Sequence, residues 1–333
     1  MTVDPTRWGV LSTARITDLV LAGAAKSQRV RMLAVASRDR ARATAYARER
    51  GFERSYGSYE ALLADPDVEA VYISVPNGPH VEWSVRALEA GKHVLCEKPL
   101  TAHPAEAERA FDVAERNGLI LMEAFMWRHH PQTVRLKELV DEGAVGTLRL
   151  IRSGFSFPAV DDPADMRLLT EPDGGSLLDV GCYCVNAARY LAGEPTEVYG
   201  ASVLADAGVD VRFVATMWTA DGVLTQFDCG LDLPVREELE LIGDDGQIVV
   251  HDPWHGLEPA IELRRDGTTE VIAVEAVDSY RLELENLSDA VRGNADPLLG
   301  RADAVAQARV MEALFRSAAE RRAVAIPSQA ERT

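Results

Sequence analysis

The amino-acid sequence predicts an α/β protein of two domains: a Rossmann domain, then an α+β domain with a large, mainly antiparallel, open-faced sheet. A chain of 333 residues exceeds what one hydrophobic core normally serves. Strands alternate with helices up to residue 124, and turn-separated strands dominate afterwards. We therefore expect a dinucleotide-binding domain over 1–124 and a substrate-binding and oligomerisation domain over 125–333. The C-terminal helix, 301–321, is expected to pack back on the first domain.

The first half alternates between short apolar strands and helices. Strands are predicted at 8–11, 32–36, 70–75, 94–96 and 120–122, and helices at 14–25, 40–50, 59–63, 81–89 and 105–117. This alternation indicates βαβ units and a parallel sheet, which the crossover rule makes doubly wound. In such sheets ligands bind beyond the carboxyl ends of the strands.

The second half has a different pattern. Strands are predicted at 147–157, 197–204, 209–219, 223–231, 237–242, 247–251, 260–265 and 269–274, and helices at 132–142, 176–191, 280–292 and 301–321. Hairpin signals stand at Asp221-Gly222, Asp244-Asp245-Gly246 and Asp266-Gly267. Helices suffice for one face of this sheet, so we expect the other to be an apolar surface suited to a homodimer or homotetramer.

Composition limits the classes of partner. Hydrophobic residues at 47% and charged residues at 26% are typical of a globular protein. A net charge of -18 argues against nucleic acid or an anionic membrane as partner, whereas a small ligand needs only a local basic patch. Four cysteines in no metal-binding or disulfide-rich pattern, and a start without an apolar signal core, favour a cytoplasmic protein without a metal site.

The stretch 93–100, His-Val-Leu-Cys-Glu-Lys-Pro-Leu, is the central candidate for a functional site. Its apolar run predicts a buried strand, so Glu97 and Lys98 would emerge at the carboxyl end of that strand. A Lys fixed there beside a carboxylate can titrate or donate hydrogen bonds as a free surface Lys does not. A lone Lys in a loop would be merely solvated, but the neighbouring segments supply the rest of a cofactor site.

The turn after the first strand is a candidate for pyrophosphate binding. A dinucleotide site would have the pattern G-x-G-x-x-G there, yet Ser12, Ala14 and Thr17 occupy the three glycine positions. Small residues still permit close approach, and hydroxyl groups can donate to phosphate. A plain helix cap at Ser12 is the alternative. The residues predicted to bind cofactor here are Ser12, Thr13, Ala14, Arg15 and Ile16.

The end of the second strand favours NADP over NAD. An NAD enzyme usually has an acidic residue there for the ribose 2′-hydroxyl, whereas Ser37 and Arg38 occupy this place. Arg38 can stack on adenine or bind a 2′-phosphate. The alternative is that Arg38 is a solvated charge at a helix start, which the helix dipole makes less favourable.

Three further motifs bring out a family resemblance. They are Pro76-Asn77-Gly-Pro-His80, Glu123-Ala-Phe-Met-Trp-Arg and Gly174-Gly175-Ser-Leu-Leu-Asp179-Val-Gly181-Cys-Tyr183. With the opening turn and Glu97-Lys98-Pro99, the chain resembles the Gfo/Idh/MocA family, the group of glucose-fructose oxidoreductase and inositol dehydrogenase. The resemblance spans roughly residues 7 to 190. It implies that Pro76, Asn77, His80 and Glu97 contact the cofactor.

The resemblance also implies catalytic roles. Lys98 matches the family's catalytic Lys, which bridges the nicotinamide ribose and the reacting oxygen, and the Lys98-Pro99 bond is expected to be cis. Asp179 and Tyr183 match a second motif, in which many members have His in place of Tyr. In having Tyr at this position, the chain resembles the branch that contains glucose-fructose oxidoreductase, dihydrodiol dehydrogenase, NADP-dependent xylose dehydrogenase and deoxysugar ketoreductases. Arg167 matches a cofactor-contacting position of this branch, or is a surface Arg in an acidic loop.

These residues predict an NADP(H)-dependent oxidoreductase acting on CH-OH groups of a sugar, sugar nucleotide or cyclic diol. Tyr183 would donate the proton, Lys98 would polarise the carbonyl, and Asp179 would hold Lys98 or a substrate hydroxyl. A second class of protein, a non-catalytic NAD(P)-binding redox sensor, is the alternative, as is an NAD-dependent polyol dehydrogenase. Candidates to line a sugar-sized pocket are Trp127, Arg128, Phe155 and Asn186.

Overall fold

The computed structural model describes residues 4–160, 165–169 and 173–327. Contacts within the chain divide it into two units. The first comprises 1–101, 105–126 and 278–305, and the second comprises 102–104, 127–277 and 306–333. The segment 278–305, which the sequence assigns to the second domain, therefore groups with the first.

The first unit is built on a six-stranded sheet in the order β3-β2-β1-β4-β5-β6, in which every pair is parallel. Its strands are β1 (Thr6–Leu11), β2 (Val30–Ala36), β3 (Arg54–Tyr56), β4 (Ala70–Ile73), β5 (His93–Glu97) and β6 (Leu121–Ala124). Its helices are α1 (Ile16–Ala24), α2 (Arg40–Arg50), α3 (Tyr59–Leu63), α4 (His80–Glu89) and α5 (Pro104–Arg116). The predicted Rossmann-type sheet is confirmed.

Local chemistry explains these boundaries. Asp39 caps α2 by accepting a hydrogen bond from the Arg42 amide at 2.9 Å, and Gly51 ends that helix at φ +78°. The central strands are buried on both faces, as a parallel sheet covered by helices requires. Strand β3 was not predicted, because its three residues carry no apolar run.

The second unit contains a nine-stranded sheet in the order β14-β13-β12-β11-β7-β10-β9-β8-β15. Its strands are β7 (Leu148–Ser156), β8 (Pro195–Leu204), β9 (Asp210–Thr219), β10 (Leu224–Gly230), β11 (Arg236–Gly243), β12 (Gln247–His251), β13 (Ala260–Arg265), β14 (Thr268–Ala273) and β15 (Val324–Ala325). Its helices are α6 (Pro131–Asp141), a π-helical turn (Leu177–Gly181) and α7 (Cys182–Ala192). The three hairpin signals lie between antiparallel strands, as predicted, and among the described strands of this sheet only β7 and β10 pair in parallel. The mainly antiparallel sheet is confirmed.

The two faces of the nine-stranded sheet differ. The π-helical turn and α7 pack on one face, where Phe213, Phe227 and Leu241 are buried. The other face carries charged pairs, including Arg236 with Asp228 at 2.7 Å. The outer face therefore mixes charged pairs with exposed apolar side chains such as Val214 and Val271, where the sequence-based expectation was an apolar surface.

Two helices complete the chain, α8 (Ser279–Val291) and α9 (Arg301–Glu320). Helix α8 packs on α1 so closely that a Cβ on Gly23 would lie 2.7 Å from the Arg281 amide, which explains why 278–305 joins the first unit. At the start of α9, Arg301 pairs with Glu108, Asp112 and Glu115 of α5. Within the described ranges, no helix is both long enough and apolar enough to cross a membrane.

Candidate active site

The turn after β1 is shaped for close approach of a ligand. Ser12 has φ +105°, unusual for a residue with a side chain, and its amide bonds to the Ala36 carbonyl at 3.0 Å. Thr17 is buried, and its hydroxyl lies 3.1 Å from that of Ser74. These small side chains let α1 pack directly on the end of β4, as the third glycine of the usual pattern would.

The N-terminus of α1 has no side-chain cap. Arg15, the N-cap residue, makes no side-chain hydrogen bond to the helix, in contrast to Asp39 at α2. The first amides of a helix bind anions readily when no side chain occupies them. Here the Thr17 and Asp18 amides donate to the Ala14 and Arg15 carbonyls, both at 3.1 Å.

The end of β2 carries positive charge. Ser37 is buried and its hydroxyl accepts from the Asp39 amide at 3.3 Å, whereas Arg38 is exposed. Burial raises the pKa of Tyr59, while Arg38, a hydrogen bond with Ser12 and the charge of Arg42 act in the opposite direction. Tyr59 therefore lies close to Ser12 of the turn after β1 and to Arg38 and Arg42 after β2.

Arg42 and Tyr59 were not predicted as site residues. The Arg42 guanidinium approaches the Thr13 carbonyl at 3.5 Å, which joins the α2 start to the turn after β1. Tyr59 makes an edge contact with Trp83, with ring centroids 4.8 Å apart. The sequence offered one signal for Arg42: it follows Arg38 by four residues, about one helical turn.

The loop after β4 is organised by His80. This side chain is only 1% exposed, and its two ring nitrogens lie 2.8 Å from the Pro99 and Val75 carbonyls. Pro76 and Asn77 are partly exposed beside it. His80 thus joins the loop after β4 to the segment after Lys98.

Lys98 stands at the carboxyl end of β5 in a hydrogen-bonded frame. The Tyr72 hydroxyl donates to Glu97 at 2.5 Å, and burial, together with that carboxylate, raises the pKa of Tyr72 well above its usual value. The Leu100 amide donates to Glu123 at 2.7 Å, and the Lys98-Pro99 bond is cis, as the resemblance implies. Lys98 itself remains partly exposed.

In the second unit, Asp179 lies in the π-helical turn and Tyr183 in the first turn of α7. The sequence predicted one continuous helix over 176–191, whereas the structure has a wider π-helical turn before α7. Arg167 donates to Asp179 at 2.9 Å and also pairs with Asp165 at 3.0 Å. Asp179 therefore has an Arg partner that the sequence did not predict.

A buried acid supports this turn. Asp210 accepts from the Ser176 hydroxyl at 2.5 Å and from the Leu177 amide at 2.7 Å. Burial raises the pKa of Asp210 to about 6, although these hydrogen bonds act the other way. Gly175, at φ +116°, has no Cβ that would collide with this carboxylate, which explains the second glycine of the Gly-Gly motif.

Tyr183 belongs to an aromatic cluster. Its ring lies 5.4 Å from Phe155 and 5.8 Å from Trp254, centroid to centroid. Phe155 in turn stacks on Trp254 at 5.9 Å and meets the edge of His255 at 6.0 Å. The sequence predicted Phe155 as a pocket residue. Trp254 and His255 lie in the loop after β12 and were not predicted.

The remaining candidates for a sugar pocket are Trp127, Arg128 and Asn186. Trp127 is 1% exposed and packs against Trp254 at 5.7 Å. The guanidinium of Arg128 lies 3.8 Å from the ring centroid of Tyr190 and 3.4 Å from the Asn186 carbonyl oxygen. Asn186 is itself fully buried. Of these three residues, Trp127 contacts the aromatic cluster, through Trp254.

Comparison with known proteins identifies both parts of the chain. Residues 6–125 match the oxidoreductase family with an NAD-binding Rossmann fold, and residues 133–249 match the GFO/IDH/MocA C-terminal domain. The D-xylose 1-dehydrogenase (NADP(+)) 2 of Haloferax volcanii is 39% identical over 316 residues, which cover 93% of this chain and 97% of that protein.

A sugar reductase and its structure are also similar. The dTDP-3,4-didehydro-2,6-dideoxy-alpha-D-glucose 3-reductase of Actinomadura kijaniata is 34% identical over 317 residues, 93% of this chain and 95% of that protein. The crystal structure of a 3-ketoreductase from Actinomadura kijaniata, in complex with NADP and TDP-benzene, matches with a TM-score of 0.89 and 32% identity over 94% of this chain and 98% of that chain. This chain belongs to the Gfo/Idh/MocA family of oxidoreductases, as its motifs predict.

Proposed function

We propose that the protein is an NADP(H)-dependent oxidoreductase that transfers hydride between the nicotinamide and a secondary alcohol or carbonyl of a carbohydrate. The observation that carries this proposal lies in the first unit. The turn 12–16, Ser37-Arg38 and Glu97-Lys98 all stand at the carboxyl ends of parallel strands, which meet at one edge of a sheet.

The proposed cofactor is NADP rather than NAD. At the end of β2, Ser37 stands where an NAD enzyme usually has an acidic residue. Two arginines, Arg38 and Arg42, lie beside Tyr59. A guanidinium pairs well with a 2′-phosphate. The related xylose dehydrogenase is named as NADP-dependent, and the related ketoreductase was crystallised with NADP.

Residues of both units have roles in the proposed reaction. When bound, NADP accepts or supplies hydride at the nicotinamide C4. Lys98 donates a hydrogen bond to the reacting oxygen and stabilises negative charge on it, and Tyr183 takes up or returns the hydroxyl proton. An unperturbed Tyr titrates at about 10, so a nearby ammonium is needed to favour its phenolate.

Asp179 and Arg167 contact each other, which the sequence did not predict. Because Arg167 donates to Asp179 at 2.9 Å, we assign Asp179 to anchoring Arg167 as well as to binding a substrate hydroxyl. The guanidinium of Arg167 also lies 5.3 Å from the Phe157 ring centroid, which limits its freedom. An Arg held in this way is suited to a phosphate or ribose contact.

The first substrate to test is D-xylose, because a xylose dehydrogenase is 39% identical over nearly the whole chain. Absorbance of the reduced cofactor should rise with D-xylose and NADP⁺. The screen extends to other aldoses, nucleotide-linked ketosugars and dihydrodiols. If none of them changes the absorbance while NADPH still binds tightly, the protein is a redox sensor rather than an enzyme.

We also propose a cytoplasmic homodimer or homotetramer that assembles through the outer face of the nine-stranded sheet. All four cysteines are free thiols. That face exposes Tyr199, Val214 and Val271 at 40%, 52% and 64%, beside charges of both signs.

Light scattering should give a multiple of 36.3 kDa. Val214→Asp should dissociate the assembly, whereas Val235→Asp, in an exposed turn, should not. A mass of 36.3 kDa at micromolar wild-type protein would contradict the proposal.

A further inference from the structure

Three buried polar side chains meet near the carboxyl end of β5. They are Tyr72 of β4, Glu97 of β5 and Glu283 of α8, which are 0%, 8% and 1% exposed. All three lie in the first unit, and we call them the Tyr72–Glu97–Glu283 group. The proposed reaction gives none of them a role, although buried ionisable groups are costly unless something offsets their desolvation.

The register of β4 and β5 brings Tyr72 to Glu97. Leu95 lies opposite Tyr72 in the parallel pair, and Glu97, two residues farther on, shares the face of Leu95. The Tyr72 hydroxyl donates to Glu97 Oε1 at 2.5 Å, and the Lys98 amide donates to Glu97 Oε2 at 3.3 Å. The carboxyl group of Glu97 therefore links Tyr72 to the backbone of Lys98.

Helix α8 brings Glu283 to this place. The buried residues of α8 follow one face of the helix and are Ser279, Glu283, Leu284, Leu287 and Ser288. The Trp8 indole of β1 donates to the Ser288 hydroxyl at 3.2 Å, which holds that face against the sheet. Glu283 Oε1 is buried, and no residue that the structure describes donates a hydrogen bond to it.

The negative charge of the group resides on Glu97. Burial and the charge of Glu97 both raise the pKa of Glu283 well above its usual value, so Glu283 keeps its proton at neutral pH. Burial, Glu97 and Glu283 likewise raise the pKa of Tyr72, so its phenol remains a donor. Glu97, which accepts from Tyr72 and from the Lys98 amide, is therefore the member fitted to be ionised.

Other titratable groups surround β4 and β5. Tyr280 of α8 raises the pKa of Tyr72, in the same direction as Glu97 does. His80 of α4 and Glu123 of β6 bond to backbone groups. The charged residues of α1 and β2 belong to exposed ion pairs and are Asp18 and Arg31. Lys98, the next residue in the chain, is thus the cation placed to respond to a charge on Glu97.

We propose that Tyr72 is a positioning residue of the site: with Glu283 held neutral, its hydroxyl keeps Glu97 as the one carboxylate of the group, and Glu97 fixes Lys98. This inference rests on the proposed function, because it takes Lys98 as the donor to the reacting oxygen. A carboxylate in the neighbouring residue favours the ammonium form of a partly exposed Lys. Its hydrogen bonds also fix the backbone from which Lys98 projects.

The test compares wild type with Tyr72→Phe, which keeps the ring in β4, in the reduction of D-xylonolactone by NADPH. Loss of a charge-assisted hydrogen bond should lower kcat by about tenfold to a hundredfold, with little change in KM. The fall of kcat at low pH should begin about one pH unit higher, because Glu97 without this donor takes up a proton more readily. Reduction is the direction to use, since Tyr183 then supplies the proton and does not itself require a basic pH.

Tyr56→Phe is the matched control. The Tyr56 hydroxyl of β3 donates to the buried Asp65 carboxylate at 2.7 Å, so the same kind of contact is lost in the same unit. This variant should leave kcat and its pH profile unchanged. Urea unfolding of both variants separates a loss of stability, which either contact can cause, from a change in the chemistry.

Infrared spectroscopy tests the charge assignment without any substrate. At pH 8, Asp210 is ionised, because its pKa is about 6. The C=O band of a protonated carboxyl group, recognised by its shift in D2O, should then be present in wild type and missing in Glu283→Gln. A wild type without such a band, or one whose band is the same in Glu283→Gln, would overturn the assignment.

A double variant shows whether Tyr72 acts through Glu97. Once Glu97→Gln has removed the charge, Tyr72→Phe should lower kcat little further. Equal losses of kcat from Tyr72→Phe in both backgrounds would overturn the role of Tyr72, as would an active Tyr72→Phe enzyme with the kcat and pH profile of wild type.

The remaining outcomes are also decisive. If Tyr72→Phe does not fold, Glu97→Gln, which keeps an acceptor for Tyr72, takes its place, and a wild-type pH profile in that variant would overturn the proposal. A wild type that turns over none of the screened compounds would remove the proposed function and the role of Tyr72 with it. The infrared result would still decide where the charge of the group resides.

Discussion

The cofactor-facing edge of the first unit and the aromatic cluster of the second are held together in different ways. In the first, each functional side chain follows its own strand directly, as Arg38 follows β2 and Lys98 follows β5. In the second, contacts join residues far apart in the chain, such as Phe155, Tyr183 and Trp254. Local sequence determines the first arrangement, whereas the second depends on how the nine-stranded sheet packs.

This difference has a functional consequence. Strand ends of a parallel sheet suit a cofactor of constant shape, because the backbone supplies most of the frame. A cluster built from side chains of separate loops can change with little effect on the fold, which suits substrate selection. Variants of the first region should therefore affect chemistry and cofactor binding. Apart from Tyr183, which is proposed to handle the proton, residues of the second region should affect substrate affinity and the pH dependence of stability when they are changed.

The largest effect is expected at Lys98. Lys98→Met removes the charge that stabilises the reacting oxygen, so kcat should fall by about a hundredfold or more, the usual scale of such contributions. The Kd of NADP⁺ should change far less. Lys26→Met, a surface variant with the same loss of charge, serves as control. An unimpaired Lys98→Met enzyme would remove Lys98 from the mechanism.

Coupling between the two regions is tested by a double variant. Tyr183→Phe removes the proton, and water can partly replace it, so its loss of kcat should be similar to that of Lys98→Met or smaller. Because the pair is proposed to act as a unit, the double variant should lose much less than the product of the two single losses. Tyr46→Phe, on α2, is the control, because its hydroxyl contacts Asp18 rather than either proposed site. Multiplicative losses would show that Lys98 and Tyr183 act independently.

The stability of the protein should depend on pH through Asp210, the buried acid that holds the π-helical turn before α7. Its pKa is raised from 3.8 to about 6 in the folded protein, so the unfolded chain loses this proton first as pH rises. Wild type should therefore lose stability relative to Asp210→Asn between pH 4 and pH 6, by up to about 3 kcal/mol. Urea unfolding of both proteins at several pH values measures this. A difference that does not vary with pH would contradict the assignment.

The smallest effect is expected for cofactor selection by Arg38. Arg38→Ala should weaken NADP⁺ binding by about 1 to 3 kcal/mol, since a charge-assisted contact to the 2′-phosphate is lost. Binding of NAD⁺ should be unchanged. Arg48→Ala, on the same helix as Arg42 but farther along it, controls for the loss of charge. Equal weakening in both variants would indicate a long-range effect of charge rather than a contact.

Several structural outcomes followed from the sequence, and others did not. The hairpins at Asp221-Gly222, Asp244-Asp245-Gly246 and Asp266-Gly267 were predicted because turn chemistry is local. The π-helical turn before α7 was not, since it depends on Asp210, more than thirty residues later in the chain. His255 was missed for the same reason: only packing brings its loop to Phe155.

By itself, the sequence determined the parallel sheet of the first unit and which residues stand at its strand ends, because hydrophobic period, strand length and capping residues act over a few neighbours. The tertiary structure alone decided that 278–305 belongs to the first unit and that Arg167 pairs with Asp179. It also decided that the outer sheet face carries ion pairs such as that of Arg236 and Asp228. These features arise from contacts between distant segments, whose energies depend on burial and geometry that no local pattern encodes.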